Sequence, residues 1–223
     1  ACWNNEVHVV YADYNSINGE IYYLHSSNGG NTWSSPVHLT TTLGDSGYPS
    51  ICASKQVVHL VWIDDKYGNK EILYRRSVNS GLSWGNEIRL TNNTATSDQG
   101  SIAASGDYVQ MVFQDDRTGT MNTYHMRSSD GGSSWSTETP LTNLATKCDL
   151  PAVVTSGPLV MVSWDDRRDG FIEIYGRRSE DYGATWGSDM RLTNTPAVST
   201  NSRMAALGQY FCLVWNEDYT NNN

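Results

Sequence analysis

Short runs of apolar residues, bounded by polar loops, recur along the chain and predict β-strands. In the clearest unit, residues 57–63 read Val-Val-His-Leu-Val-Trp-Ile, a strongly apolar run of strand length. A short strand is predicted before it at residues 48–54, and two more after it at residues 71–76 and 87–91. A polar loop at residues 64–70 joins the second predicted strand to the third. We call these strands A to D, and they predict a four-stranded antiparallel sheet from a unit of about 50 residues.

This unit repeats with a period of 51 residues. Strand B has an aromatic residue near its end in all five copies, and strand D ends on a Leu-Thr pair in the four copies that have one. The aromatic residues are Tyr11, Trp62, Phe113, Trp164 and Trp215, and the Leu-Thr pairs begin at Leu39, Leu90, Leu141 and Leu192. A fixed period of this length is typical of repeat architectures in which neighbouring units bury a shared core.

One motif, Ser-x-(Asp/Asn)-x-Gly-x-(Ser/Thr)-Trp, occurs four times between strands C and D, at residues 26–33, 77–84, 128–135 and 179–186. Asp and Asn side chains bond backbone amides in turns, glycine supplies positive φ, and a tryptophan buries a large ring. We therefore assign these positions a structural role and expect the tryptophans to be largely buried. The residues are Asn28, Gly30, Trp33, Asn79, Gly81, Trp84, Asp130, Gly132, Trp135, Asp181, Gly183 and Trp186.

The motif resembles the Asp-box, or BNR, repeat of sialidases and other β-propellers, and the resemblance covers nearly the whole chain. It implies an all-β fold over residues 1–223, a single domain built as a β-propeller of four-stranded antiparallel blades. The third and fourth units run over residues 100–142 and 151–193, and no helix is predicted. The resemblance also implies that ligands bind on the face formed by the B–C and D–A loops.

The two ends of the chain do not make complete blades. Residues 1–5 supply only the tail of a first strand A, and residues 201–207 and 209–215 supply strands A and B of a fifth unit. The last strand A could complete the first blade, or the fifth blade could lack strands C and D. We expect a fragment of a larger propeller, or self-association through the incomplete terminal blades.

Composition excludes some classes of function. The net charge is −9, which repels nucleic-acid backbones, and no apolar run approaches the length of a membrane span. The chain opens at Ala1 without Met, so we expect either a removed leader or a sequence cut from a longer one, and a secreted or cell-surface protein. The four cysteines, Cys2, Cys52, Cys148 and Cys212, allow three disulfide pairings, but we favour buried free thiols.

An acidic residue lies two positions after each strand B aromatic residue, and these acidic residues form the first candidate site. They are Asp13, Asp64, Asp115, Asp166 and Glu217, and three cations two residues further on are Lys66, Arg117 and Arg168. Equal register in a propeller places such residues at equal radius, so they could form a ligand-binding ring at the channel mouth. Alternatively, each acid caps its own turn or pairs with a nearby cation. We favour this alternative, because features encoded in every repeat usually maintain the repeat.

Catalytic chemistry finds little support in the sequence. The resemblance to sialidases implies three arginines for a substrate carboxylate, a tyrosine nucleophile assisted by a glutamate, and an aspartate acid/base. The Arg-Ile-Pro sequence that carries the first arginine is missing, and the comparable segments at 48–51 and 150–153 hold no arginine. Arg76, Arg127 and Arg178 share a register on strand C, which suits salt bridges better. No residue is assigned as catalytic, and the five histidines lack metal-site spacing, so we expect no metal and no cofactor.

These observations favour a non-catalytic propeller that binds a glycan or another small ligand on the B–C loop face. A sialidase-like glycoside hydrolase, or a fragment of one, is the first alternative. A purely structural repeat module of a larger secreted protein is the second.

Overall fold

A computed structural model describes residues 1–15 and 18–220 of the chain. These residues form 18 strands and no helix, and every strand pair is antiparallel. The all-β prediction is therefore confirmed.

The first four blades are four-stranded sheets whose strands follow the chain order from A to D. Blade 1 contains β1 (Cys2–Trp3), β2 (Glu6–Asp13), β3 (Glu20–Ser26) and β4 (Val37–His38). Blade 2 contains β5 (Ser46–Ser54), β6 (Val57–Asp64), β7 (Glu71–Ser77) and β8 (Ile88–Arg89). Blade 3 contains β9 (Ser97–Ser105), β10 (Tyr108–Asp115), β11 (Asn122–Ser128) and β12 (Thr139–Pro140). Blade 4 contains β13 (Cys148–Ser156), β14 (Leu159–Asp169), β15 (Phe171–Ser179) and β16 (Met190–Arg191).

The fifth blade has only strands A and B, β17 (Val198–Leu207) and β18 (Tyr210–Asp218). Strand β17 pairs with β18 and packs against blade 4, so it does not complete blade 1. Strands β5, β9, β13 and β17 contact one another in sequence along the inner side of the sheets. Within the described residues, the ring of blades is open between blade 5 and blade 1.

Each inner strand from β5 onward begins earlier than the hydrophobic pattern predicts, because a β-bulge interrupts it. The ladder shifts between Gly47 and Ser50 in blade 2 and at the same register in the next three blades. A residue with positive φ occupies every bulge: Tyr48, Gln99, Leu150 and Asn201. Because a bulge leaves one residue outside the ladder, it accommodates Pro49 and Pro151, which an uninterrupted strand would disfavour.

The four turns that carry the Ser-x-(Asp/Asn)-x-Gly-x-(Ser/Thr)-Trp motif, which we call box turns, have the local bonding that their composition predicts. In the third copy, the Ser128 hydroxyl accepts the Gly132 amide at 2.9 Å, and Asp130 Oδ1 accepts the Ser134 amide at 2.9 Å. The same two bonds close the other three turns. The glycine has positive φ in all four turns, which explains why that position does not vary.

The tryptophans of the second, third and fourth boxes each pack against the preceding blade, so they connect blades rather than strands. The ring of Trp135 meets Tyr74 edge-on at 5.1 Å between centroids, and Trp84 meets Tyr23 in the same way. A Cβ on Gly132 would lie 2.0 Å from the Tyr74 hydroxyl oxygen, so only glycine fits at this contact.

The expectation of largely buried tryptophans is wrong for Trp33, whose exposed fraction is 44%. Blade 1 has no preceding blade in the structure, so its indole lacks the partner that the other three have. Trp84, Trp135 and Trp186 are half-buried against the core. The cysteines also differ from expectation: all four are free, but only Cys148 is buried, while Cys2 and Cys212 are exposed.

The unequal burial of equivalent tryptophans gives a testable prediction. Trp135→Ala removes an indole that is packed between two blades and should lower the free energy of unfolding by about 3 kcal/mol. Trp33→Ala is the matched control, since it removes the same side chain where no blade lies behind it, and should cost about 1 kcal/mol or less. Chemical denaturation of both variants checks this, and equal losses would contradict the role of Trp135 between blades.

Candidate functional site

The predicted ring of acids lies at the ends of the B strands, but its members bond within their own blades. Asp64, Asp115 and Asp166 are completely buried. Asp64 accepts hydrogen bonds from the Ser46 hydroxyl at 2.8 Å and from the Lys66 amide at 2.9 Å. The carboxylate thereby fastens the B–C turn to the start of strand A.

Arginines complete the same arrangement in blades 3 and 4. Asp115 accepts the Arg117 Nε and Nη2 groups at 2.7 Å each, and the Ser97 hydroxyl at 2.8 Å. Burial alone raises the pKa of Asp115, but the hydrogen bonds from Arg117 and Ser97 outweigh it and hold the pKa below its ordinary value. Arg168 contacts Asp166 in the same bidentate way, and the pKa of Asp166 is lowered against the same effect of burial.

The two terminal members are less enclosed. Asp13 accepts the Asn15 amide at 2.9 Å, as a turn-capping carboxylate does. Glu217 accepts the Ser199 hydroxyl at 2.9 Å and the Trp215 indole at 2.6 Å.

The cations of the predicted ring also pair inside their own blades. Beyond the register acids, Lys66 pairs with Glu87, Arg117 with Glu138 and Arg168 with Asp189. The structure thus brings each acid to its own loop rather than to the acids of neighbouring blades. This geometry favours the turn-capping interpretation, and a part for these eight residues in ligand binding stays a prediction.

A cavity of about 260 Å³ lies among the inner strands of blades 2 to 5, and we call it the axial cavity. The bulge residues of blades 2 to 4 lie on its wall, namely Tyr48, Gln99 and Leu150, and blade 5 contributes Arg203, two residues after its bulge. The lining residues are Tyr48, Pro49, Ser50, Gln99, Gly100, Ser101, Leu150, Pro151, Ala152 and Arg203. Arg203 is exposed, and it is the one arginine on this wall within the described part of the chain.

A second cavity of about 260 Å³, the side cavity, lies next to the first, between blades 1 and 2. It is lined by Tyr14, Asp45, Ser46, Gly47, Tyr48, Ile63, Asp65 and Lys70. Tyr48 lines both cavities, so they adjoin each other, and we call the two together the mouth groove. Because Tyr14 and Asp65 belong to B–C loops, the groove opens on the face where the resemblance places ligands.

The mouth groove is lined by exposed aromatic rings and by charged side chains that are partly paired. Tyr14 and Tyr48 have exposed fractions of 61% and 54%. Lys70 donates to Asp98 at 2.9 Å, and this hydrogen bond raises the pKa of Lys70 above its ordinary value. Burial raises the pKa of the Tyr14 hydroxyl, so both groups keep their protons at neutral pH.

One buried carboxyl supports the groove from behind. Asp165 accepts hydrogen bonds from the Thr200 hydroxyl and, at 3.0 Å, from the Asn201 amide, so it holds the bulge of blade 5 in place. Burial raises the pKa of Asp165 from 3.8 to about 6.

The sequence interpretation missed the mouth groove. Tyr48, Gln99, Leu150 and Asn201 occupy one register with four different side chains, in a chain whose strand B acids and box turns repeat every 51 residues. That variation within a fixed frame was the available signal. The arginines on strand C lie elsewhere: Arg76, for example, donates to the Gly131 carbonyl of blade 3 at 2.6 Å.

Among the described residues there is neither a candidate metal site nor a membrane-spanning helix. No group of three or more His, Cys, Asp or Glu side chains is arranged to hold a metal ion. No described helix is long and apolar enough to cross a membrane.

Comparison with known proteins identifies the fold. No protein-family model matches the chain, and no curated protein matches it either. Solved structures do match. The NanB sialidase of Streptococcus pneumoniae, as its K499G mutant, aligns with a TM-score of 0.61 and 16% identity, over 92% of this chain and 33% of that chain. The endosialidase of phage phi92 aligns with a TM-score of 0.69 and 10% identity, over 94% of this chain and 48% of that chain.

An α-L-arabinofuranosidase of Fusarium graminearum, as its E242A mutant, aligns with a TM-score of 0.61 and 15% identity, over 83% of this chain and 62% of that chain. The chain therefore spans between a third and about two thirds of these proteins. At these identities the matches show the fold alone, and that fold is a sialidase-like β-propeller.

The turn-capping role of Asp115 can be tested directly. Asp115→Asn leaves Arg117 without its buried counter-charge and should lower the free energy of unfolding by roughly 2–3 kcal/mol. Binding in the mouth groove should be unchanged, because Asp115 lines neither cavity and its carboxylate is bonded to Arg117, Ser97 and Asn93. Thermal melts and a sugar titration on the same variant separate the two roles, and weaker binding at unchanged stability would favour the ligand-binding ring.

The raised pKa of Asp165 predicts a pH effect on stability. Because the folded chain binds the Asp165 proton more tightly than the unfolded chain, this group stabilises the fold most below about pH 4. The contribution is lost as the pH rises to about 6. In Asp165→Asn, which has no charge to bury, the free energy of unfolding relative to the parent should therefore rise by about 2 kcal/mol between pH 4 and pH 7. Denaturant titrations across that range measure the difference, and a flat difference would show that Asp165 is ionised throughout.

Proposed function

We propose that this chain binds carbohydrate in the mouth groove. The observation that carries the proposal is Tyr48, a half-exposed aromatic ring that separates two concave, polar cavities at the axis. Aromatic rings with a polar group at one edge suit the mixed faces of sugars, and ligand sites are usually concave with a few well-placed polar groups. Secretion, as for many glycan-binding proteins, is part of this proposal.

The walls of the axial cavity suit a small polar ligand. Gln99, Ser50 and Ser101 supply neutral hydrogen-bonding groups, while Arg203 supplies a positive charge. However, the Ser50 and Ser101 hydroxyls each accept a backbone amide of the next blade, at 3.2 Å. Arg203 and Gln99 are therefore the groups we assign to recognition, and Arg203 favours a sugar that carries an acidic group.

A sialidase-like glycoside hydrolase is the second candidate function, and the fold favours it. Two of the structural neighbours are described as sialidases and one as an arabinofuranosidase. The axial cavity offers one arginine and Tyr48, which is less than the residue set that the resemblance implies for catalysis. Release of a fluorogenic aglycone from a sialoside or an arabinofuranoside would establish this candidate in place of simple binding.

Substitutions in the groove test the binding proposal. Tyr48→Ala should weaken sugar binding about tenfold, since an aromatic contact contributes about 1 kcal/mol beyond the area that it buries. Tyr67→Ala is the matched control, because Tyr67 is a similarly exposed tyrosine on the same face that lines neither cavity. Calorimetric titration with acidic and neutral sugars measures both variants. Equal affinities of parent and Tyr48→Ala would refute the site, and no binding at all would favour a structural repeat module.

A further inference from the structure

One wall of the side cavity is an aromatic ring that lies against the backbone. A Cβ on Gly19 would lie 2.6 Å from Tyr14 Cε1, and a Cβ on Gly47 would lie 2.6 Å from the Tyr14 hydroxyl oxygen. The Tyr14 ring is therefore seated against bare backbone at these two glycines, while its other side is exposed. A ring fixed in this way loses little conformational entropy when a ligand stacks on it.

The polar groups of the side cavity are also held in place. Asp45 Oδ1 accepts the Gly19 amide at 2.8 Å, and Asp65 Oδ1 accepts the Asp45 amide at 2.8 Å. Both carboxylates are exposed, so their remaining lone pairs can accept hydroxyl groups of a ligand. Lys70, the cation of this cavity, is already paired with Asp98.

Charge distinguishes the two cavities. The side cavity has two exposed carboxylates and one neutralised cation, so it disfavours an acidic group and suits a neutral, hydroxyl-rich one. The axial cavity has Arg203 as its charged lining residue. A ligand that fills both would therefore be polar throughout, and its side-cavity part would be uncharged.

The side cavity is specific to the boundary between blades 1 and 2. The register of Tyr14 holds Asp65, Asp116 and Arg167 in the next three blades, and the register of Lys70 holds Met121 and Ile172. The repeat itself therefore does not require this pair of side chains, so their presence calls for a local explanation.

We propose that the side cavity is a second subsite that binds a neutral sugar residue between Tyr14 and Tyr48. The ligand is then a glycan of at least two residues, which runs from the axial cavity across Tyr48 toward blade 1. This inference rests on the proposed carbohydrate binding and adds to it the length of the ligand and the chemistry of its second residue.

Paired probes test the inference: sialic acid against 3′-sialyllactose, and arabinose against arabinotriose, each titrated by calorimetry into the whole chain. In at least one pair, the oligosaccharide should bind about tenfold more tightly than its monosaccharide, because a second aromatic contact is made. Tyr14→Ala should reduce this ratio to below about twofold and leave the monosaccharide affinity unchanged.

Two further variants guard against an effect of misfolding. Asp45→Asn keeps the oxygen that accepts the Gly19 amide but removes the charge, so it should also reduce the ratio while the melting temperature holds. Tyr67→Ala should leave the ratio unchanged.

The outcomes separate this inference from the proposed function. Equal affinities within both pairs, or a Tyr14→Ala variant that weakens monosaccharide and oligosaccharide alike, would overturn the second subsite and leave carbohydrate binding intact. If none of the four sugars bound, both the proposed carbohydrate binding and the second subsite would be refuted.

Discussion

Blades 2 to 4 of this protein are each held to the blade before them by a box turn whose aromatic ring packs on strand C of that preceding blade. The indole supplies apolar area at its edge, and the glycine of the turn lets its backbone approach a buried side chain. At Gly183, for example, a Cβ would lie 2.4 Å from the Gln110 side-chain oxygen of the preceding blade. Two blades cannot separate without exposing the indole and the ring on which it packs, so local turn chemistry and the shared core depend on the same contact.

Box turns pack only on the blade that precedes them in the chain, and this explains the exposed surfaces of blades 1 and 5. A box always packs backward, so the box of blade 1 has nothing to contact, and Trp33 is exposed. At the other end, the side of blade 5 that faces away from blade 4 is open to solvent, and Tyr210 and Val214 are exposed there. In repeat proteins each unit contacts only its neighbours, and terminal units therefore have unmet contacts. Both exposed surfaces arise because each blade is stabilised by packing on its neighbours, and blades 1 and 5 each lack one neighbour among the described residues.

The periodic features of the sequence predicted most of this fold, because a residue that recurs every 51 positions meets the same surroundings in each blade. The strands, the box turns and the buried acids such as Asp115 all belong to this class. The burial of Trp33 was mispredicted, since the burial of a box indole depends on the blade behind it rather than on its own repeat. The bulges were also missed, because the positive φ of Tyr48 or Leu150 comes from tertiary packing and not from local preference.

The candidate site depends on departures from the repeat, and this is why pattern alone could not find it. A feature present in every blade is explained by the needs of every blade: Asp64 and Asp166 are satisfied by their own loops and have little left to offer a ligand. At the bulges, in contrast, the backbone is constant while the side chain changes. A constant backbone holds each side chain at a fixed place near the axis, and a changing side chain makes that place chemically distinct. The recognition that we propose requires both, and in this chain they coincide at the mouth groove.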